Sequence, residues 1–370
     1  MRIHTLTLRQ FRNYADETID CSVSDVHIFV GPNGSGKTNI LEAVSILSLS
    51  KSFLTLEEEH LRQWRTEFYR VSARCISEQN EEKEIEVVSQ ELPRKQKACF
   101  INGVRVQGSA LVGQLPIVLF LPQDLSLFVG PPAERRRFLD QLLCQVAPEY
   151  FAALTDYQKA LKQRNALLKR VAAGEANRED LSAWDATLAR TGAAVTIARL
   201  ELMEIFRLSL EGEVESLGER GDIELHYERR GTQCEPAALE AELLTLFAAS
   251  AERDILLQST TVGPHRDDWQ IRVDDRPLHS FASRGQQRTY VLALLFLQAS
   301  FLEVRRGEKP VILLDDVLSE LDAEHQRRLL SAFRGYQVLM TSAHVPPTVE
   351  GGTVWEVKEG AVARAGTAVH

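Results

Sequence analysis

An apolar run from Val26 to Val30 breaks into Gly31-Pro32-Asn33-Gly34-Ser35-Gly36-Lys37-Thr38, and helical spacing of Ile40, Leu41, Val44, Ile46 and Leu47 follows. The eight residues from Gly31 fit G-x-x-x-x-G-K-[ST], and their flanks restrict the fold: a short buried strand, a glycine loop, then a helix from about Lys37 to Leu49. Glycines let backbone amides turn inward on an anion, and the helix N-terminus adds partial positive charge. The pattern predicts a phosphate-binding loop, with Lys37 reaching β- and γ-phosphates and the Thr38 hydroxyl on Mg²⁺. The competing reading, a chance glycine turn, has to account for eight matched positions set between strand and helix.

A second apolar run, Val311-Ile312-Leu313-Leu314, ends in Asp315-Asp316. This reads as the partner strand of a phosphate loop, with Asp315 as the Mg²⁺ carboxylate and Asp316 as the base or water-orienting group. Alone, it also reads as a core strand ending in a solvated acidic turn. Thr38 and Asp315 are 277 positions apart, so a large segment is inserted between the halves of one site.

The rest of the chain says what fills that gap. From Tyr69 to Ile101 apolar and polar residues alternate, which predicts antiparallel strands with Asn102-Gly103 as a hairpin turn. Ile117 to Leu121 reads as a buried strand. A mostly helical tract then spans about Pro132 to Leu217, with a short hairpin around Gly174 and rough heptad spacing of Leu154, Tyr157, Leu161, Leu168 and Val171. Strands return at Ile223 to Tyr227 and Trp269 to Val273, followed by an apolar helix from Gln286 to Val304, a helix from Ala323, a strand from Gln337 and a closing hairpin.

Lys plus Arg number 43 against 52 Asp plus Glu, a net charge of −9, so any anionic partner must be met by a local basic patch. The five cysteines, Cys21, Cys75, Cys99, Cys144 and Cys234, form no C-x-x-C pair and predict reduced thiols rather than a zinc site or disulfide framework. The N-terminal residues alternate like a strand, and the longest apolar run is too short to span a bilayer, which predicts a cytoplasmic protein without membrane attachment.

Ala282-Ser283-Arg284-Gly285-Gln286 opens the apolar helix and resembles the ABC signature Leu-Ser-Gly-Gly-Gln, with Arg284 at the first glycine. In that superfamily Ser283, Gly285 and Gln286 would cap the γ-phosphate held by the other subunit; an ordinary helix N-cap is the plain alternative. Asp322, in Ser319-Glu320-Leu321-Asp322, falls where a D-loop crosses the dimer interface, and it also fits a helix cap. Gln123 falls at a Q-loop position, as a link to Mg²⁺ or water. Thr341 and Ser342 occupy the switch position, with His344 two places late.

The chain as a whole resembles the RecF family of gap-repair ATPases, in the ABC superfamily that includes SMC heads. The resemblance is carried by Phe11-Arg12-Asn13-Tyr14, by Gly31 to Asn39 with Leu41-Glu42-Ala43, and by Pro122-Gln123-Asp124-Leu125. Glu134 to Asp140, Val262 to Asp268 and Leu313 to Asp322 extend it. Departures are Leu54, where a basic residue is common, and Arg284 in the signature.

The resemblance implies an α/β ABC-type P-loop ATPase head. Lobe I (1–130 and 300–370) would hold mixed β-sheets with helices. A mainly helical lobe II (131–299) would carry the short hairpin and the signature. It also implies ATP and Mg²⁺ as ligands, an ATP-dependent homodimer, slow DNA-dependent hydrolysis that opens it, and binding to single-stranded DNA and to gapped or junction duplex. RecR, RecO and RecA would be the functional partners in loading RecA at gaps. Arg12 and Asn13 would lie near the adenine and α-phosphate, and Pro32, Asn33, Ser35 and Asn39 along the nucleotide. Arg135, Arg136, Arg137 and Lys51 are candidate DNA contacts, with Arg164, Lys169 and Arg170 on the hairpin comparable ones; a solvated helix start explains the first three equally well. A transporter subunit would hold the two motifs much closer together, and the inserted helices are too short for the arm of a chromosome tether.

Overall fold

The computed structural model describes residues 1–368 apart from Leu56, Pro93 and Glu350. In chain order the first part comprises β1 (Arg2–Phe11), β2 (Tyr14–Asp20), β3 (Val26–Val30), α1 (Lys37–Leu49), β4 (Phe68–Ile76) and β5 (Glu82–Gln90). Then come β6 (Gln96–Ile101), β7 (Val104–Val106), α2 (Gly108–Leu111) and β8 (Ile117–Phe120). The middle holds α3 (Pro132–Val146), α4 (Pro148–Ala172), α5 (Leu181–Ser216), β9 (Ile223–Glu228), α6 (Pro236–Leu257), β10 (Asp268–Val273), β11 (Arg276–Pro277) and α7 (Leu278–Phe281). The last part is α8 (Arg284–Arg306), β12 (Val311–Asp315), α9 (Ala323–Ala332), β13 (Val338–Ser342), β14 (Thr353–Lys358) and β15 (Ala361–Thr367). Two compact units result, Met1–Leu125 with Thr289–His370, and Ser126–Arg288.

The first unit holds two six-stranded sheets. One is antiparallel, in the order β2-β1-β4-β5-β6-β7. Asn102-Gly103 makes its last turn with both residues at positive φ, as a two-residue hairpin requires. The other runs β15-β14-β3-β13-β12-β8, and its five strands from β14 to β8 pair in parallel. The strands β3, β12 and β13 are continuous apolar runs, as expected of parallel strands covered on both faces. Helix α1 contacts β4 and β5 of one sheet and β12 and β13 of the other. That position explains why it is buried almost all round rather than along one stripe. Buried Gln337 joins the sheets: its Oε1 accepts from the Ile3 amide at 2.7 Å, and its Nε2 donates to the carbonyls of Ile3 and Cys21 at 2.8 and 3.2 Å.

The second unit is a helical body with a three-stranded sheet, β11-β10-β9. Helices α4 and α5 form the hairpin, and Gly174 (φ +74°) takes the left-handed turn after α4. Tyr157, Leu188, Leu239, Leu243 and Phe247 pack its core, with α6 as the third helix. Inside this apolar packing run buried ion pairs. Arg164, fully buried, donates to Asp185 and Asp254 at 2.6 Å each and to Thr260 Oγ1 at 3.0 Å. Arg199 donates to Asp140 at 2.9 Å and to the Pro264 carbonyl at 2.7 Å.

The segment Val262 to Asp268 is the hub of this polar interior. His265 bonds Tyr157 Oη at 2.6 Å through Nδ1 and the Thr260 carbonyl at 3.0 Å through Nε2. Tyr227 donates to Asp267 at 3.0 Å, and Asp268 takes a two-pronged pair from Arg135 at 2.7 Å each. These few residues tie α3, α4, α5, β9 and β10 together. Burial pushes the His265 imidazole down to about 4 from its ordinary 6.5. The unfolded chain therefore binds an extra proton between those values, and stability falls as the pH drops through that window, by up to about 3 kcal/mol. Urea unfolding followed by circular dichroism from pH 7 to pH 4 is expected to show this slope, and His265→Gln should flatten it. Arg164→Ala, which strands Asp254 without its cation, is expected to cost about 3–5 kcal/mol in the same assay at neutral pH.

Candidate functional site

Strand register brings the two distant motifs together. In the parallel sheet β13 lies between β3 and β12, with Asp315 opposite Thr341 and Ser342 opposite Val30. The loop Gly31 to Gly36 leaves the carboxyl end of β3, and the acidic pair ends β12 on the same rim, where open α/β sheets bind ligands. Thr38 Oγ1 donates to Asp315 Oδ1 at 2.8 Å, and Thr341 Oγ1 donates to the same oxygen at 2.7 Å. The Asp316 amide donates to Thr341 Oγ1 at 2.9 Å. Asp316 itself sits at φ +50°, a left-handed conformation that Asp tolerates better than most residues and that clusters at functional sites. Burial and the neighbouring Asp315 raise its carboxyl above the usual range, against the pull of Lys37.

The glycine loop is braced from behind. Arg12 (φ +54°) and Asn13 form the two-residue turn between β1 and β2. Asn13 Nδ2 donates to the Ser35 carbonyl at 2.7 Å, and its Oδ1 accepts from Asn39 Nδ2 at 2.9 Å. Tyr14 Oη donates to the Gly36 carbonyl at 2.9 Å. Gly36 has φ +112°, and a Cβ there would stand 2.4 Å from Asn13 Nδ2. The turn of the β14–β15 hairpin presses on the same place, since a Cβ on Gly360 would meet the Asn13 carbonyl oxygen at 2.2 Å.

Lys37 is buried and its Nζ donates to the Gly31 and Pro32 carbonyls at 2.7 and 2.9 Å. Arg12 makes a two-pronged pair with Glu42 of α1 at 2.8 and 2.7 Å and donates to the His60 carbonyl. Arg12, Asn13 and Asn39 line a cavity of about 730 Å³ together with His60, Arg62, Gln63, Trp64 and Arg65. Trp64 is 92% exposed, an unusual state for the largest apolar side chain. Glu42 enters the sequence reading as part of Leu41-Glu42-Ala43 without a role, and the Trp64 segment does not stand out there, because a single tryptophan carries no spacing pattern.

The remaining candidates lie as follows. Ser342 is buried at the end of β13, and Gln123 and His344 are exposed. Asp322 is the N-cap of α9, accepting from the amides of Glu324 and His325 at 3.0 and 2.9 Å, and its carboxyl is held low chiefly by those bonds from His325. Ser283 caps α8 reciprocally with Gln286: Ser283 Oγ accepts from the Gln286 amide at 3.2 Å, and Gln286 Oε1 accepts from the Ser283 amide at 3.0 Å. Gly285 follows the cap and is exposed.

Three arginines expected as DNA contacts need correction. Arg135 is buried against Asp268, Arg136 is half-buried and donates to the Asp267 carbonyl at 2.7 Å, and Arg164 is buried between two aspartates. A guanidinium with five fixed donors suits such internal pairs, so an arginine-rich helix start looks the same in sequence whether it faces in or out. Arg137 and Lys51 are exposed.

The residues present fit a magnesium nucleotide. Among the described residues Ser35 Oγ and Asp316 Oδ1 are buried without a hydrogen-bond partner, and Gly34 of the loop faces open space, where an anion can approach the backbone. A hydroxyl and a carboxylate are hard oxygen donors, which suit Mg²⁺ shared with phosphates.

A phosphate loop and an acidic strand end on one parallel sheet, beside an antiparallel sheet and with a helical unit inserted between the motifs, define an ABC-type P-loop ATPase head. The family model described as the RecF/RecN/SMC N-terminal domain matches residues 2–353. The DNA replication and repair protein RecF of Halalkalibacterium halodurans is 35% identical, over 99% of this chain and all of that protein. A solved structure of the recombination mediator protein RecF-ATPrS in the RecFOR pathway superposes with a TM-score of 0.92 at 28% identity, covering 98% of each chain. The Smc head domain of Pyrococcus furiosus shares the fold, with a TM-score of 0.56 at 16% identity over 99% of this chain and 96% of that one. The chain belongs to the RecF family.

Gly36→Ala and Gly34→Ala separate strain from contact. Both force a side chain into the left-handed region, at about 1–2 kcal/mol, but only at Gly36 does the new Cβ strike Asn13. Titration with a fluorescent ATP analogue is expected to show at least about tenfold weaker binding for Gly36→Ala than for Gly34→Ala.

Proposed function

We propose that the chain is a RecF-type repair ATPase: it binds ATP with Mg²⁺, closes as a homodimer on DNA, hydrolyses slowly to reopen, and promotes RecA loading at gaps together with RecR and RecO. The observation that carries the reading is the 2.8 Å bond between Thr38 and Asp315, two residues 277 positions apart that belong to the two halves of one phosphate site.

Lys37 exchanges its two loop carbonyls for β- and γ-phosphate oxygens, and the amides of Gly34, Ser35 and Gly36 follow the phosphate chain. Thr38 and Asp315, with Gln123, would hold Mg²⁺, which when bound would supply neutralisation of phosphate charge. Asp316 orients the attacking water and draws its proton; being shorter than glutamate, it holds that water less firmly, which supports slow turnover. Thr341 and Ser342 report the state of Asp315 and Asp316 through the hydrogen bonds that Thr341 makes to both.

Arg12 and Asn13 face the cavity beside the loop, and this cavity takes the base, with Trp64 as its stacking wall. Ser283, Gly285 and Gln286 offer the N-terminus of α8 to the γ-phosphate held by a second copy, and Asp322 contributes its loop to the same interface. A transporter-coupled subunit is the less favoured reading, because it would hold its two motifs much closer together than the 277 positions that separate Thr38 from Asp315.

Sedimentation with ATP and Mg²⁺ tests the reading. The wild type is expected to dimerise, Lys37→Ala to stay monomeric, and Asp316→Asn to remain dimeric with turnover reduced about 100-fold or more. A wild type that is monomeric at saturating ATP would sink the clamp, and an Asp316→Asn variant of normal turnover would remove that carboxylate from the chemistry.

A further inference from the structure

The outward face of α4 carries a charge pattern that the nucleotide site does not use. Between Lys159 and Arg170 the helix has five basic residues and no acidic one. Arg164 is the one turned inward, held by Asp185 and Asp254. Lys159, Lys162, Lys169 and Arg170 are all exposed. At 3.6 residues per turn and 1.5 Å per residue they fall within an arc of about 100° and a length of about 16 Å.

Little on the protein neutralises this strip. Lys159 meets Asp156 at 3.4 Å, with both side chains mostly in solvent, where such a pair is weak and easily displaced. Arg170 reaches the Glu175 carbonyl at 3.5 Å. Among the described residues no carboxylate stands within ion-pair distance of Lys162 or Lys169. The neighbouring helix α5 has one carboxylate between Leu181 and Leu200, Asp185, which Arg164 already engages, and it adds the exposed Arg190. In a chain of net charge −9, four exposed cations met by the weak Lys159–Asp156 pair are a local reversal of the field.

We propose that this face of α4 binds the phosphate backbone of DNA. The chemistry favours phosphate over a protein partner. Protein interfaces are poor in lysine and depend on buried aromatic or aliphatic anchors, whereas Ala166 is the residue between the cations in this arc. Lysines on flexible stems suit a repeating line of phosphate charges and read no base sequence. This inference rests on the reading of the chain as DNA-binding and assigns that activity a face of the second unit, built from residues that the nucleotide site does not use.

The test uses the full chain with a fluorescently labelled gapped duplex, measuring anisotropy over a range of KCl concentrations, with ATP-driven dimerisation followed by sedimentation. Replacing Lys159, Lys162, Lys169 and Arg170 together by alanine is expected to lower the slope of log K against log[KCl] by about 3 to 4, and to weaken binding on the order of 100-fold at physiological salt. Dimerisation should be unchanged. A companion Lys159→Arg, Lys162→Arg, Lys169→Arg variant keeps the charges and should keep the wild-type slope. Unchanged slope and affinity in the alanine variant would overturn the proposal, as would equal loss in the arginine variant. Unchanged DNA binding with lost affinity for an acidic protein partner would place a protein here instead. A wild type that binds no DNA at all would overturn the DNA-binding reading itself, which the comparison of variants separates from the choice of surface.

Discussion

Oδ1 of Asp315 accepts hydrogen bonds from Thr38, at the start of α1, and from Thr341, at the end of β13. One oxygen thereby joins three elements drawn from opposite ends of the chain. The bond lengths follow from register: with Asp315 level with Thr341 and Val30 level with Ser342, the phosphate loop and the acidic pair have to emerge side by side. Slipping β12 by one residue would send Asp315 to the opposite face and break both bonds at once. The buried Leu and Val side chains of β12 and β13 hold that register, so the apolar core and the polar site depend on one alignment.

Much of this was legible beforehand because it is carried by local pattern. The phosphate loop, its helix from Lys37 to Leu49, the strand Val26–Val30 and the Asn102-Gly103 turn stand where spacing places them. The strand β12 runs one residue past the apolar run, because Asp315 is pinned by its two hydroxyl partners. Less visible was β2, whose sequence Tyr-Ala-Asp-Glu-Thr-Ile-Asp buries only Tyr14 and Ile19 and so lacks an alternating apolar signal. The start of helix α6 is marked by Pro236 in its first turn and by no side-chain cap, which leaves a weaker local signal than that of α9 with its Asp322 cap.

The inserted unit shows a different limit of sequence. Arg135, Arg164 and Arg199 have the composition of a surface and the placement of a core. Removing a charge from water is costly, and each of these is repaid by a carboxylate far away in the chain: Asp268, Asp254 and Asp140. Those partnerships exist only in three dimensions. Lysines, whose ammonium is more strongly hydrated, stay outside on α4 together with Arg170, and Arg164 is the one cation of that helix turned into the core.

The bracing of the phosphate loop by the hairpin that ends in β15 has a consequence for how the molecule is made. The loop leaves the ribosome well before its partners, since Asp315, Thr341 and Gly360 follow some three hundred residues later. At about 5–20 residues per second, the loop waits for tens of seconds without its partners. The unit Ser126–Arg288 is continuous in the chain and emerges complete within that interval. The antiparallel sheet from β1 to β7 and the helical unit are thus both available before the nucleotide site can close. A ribosome that stalls late leaves a folded helical body attached to a head with neither its acidic pair nor its closing hairpin.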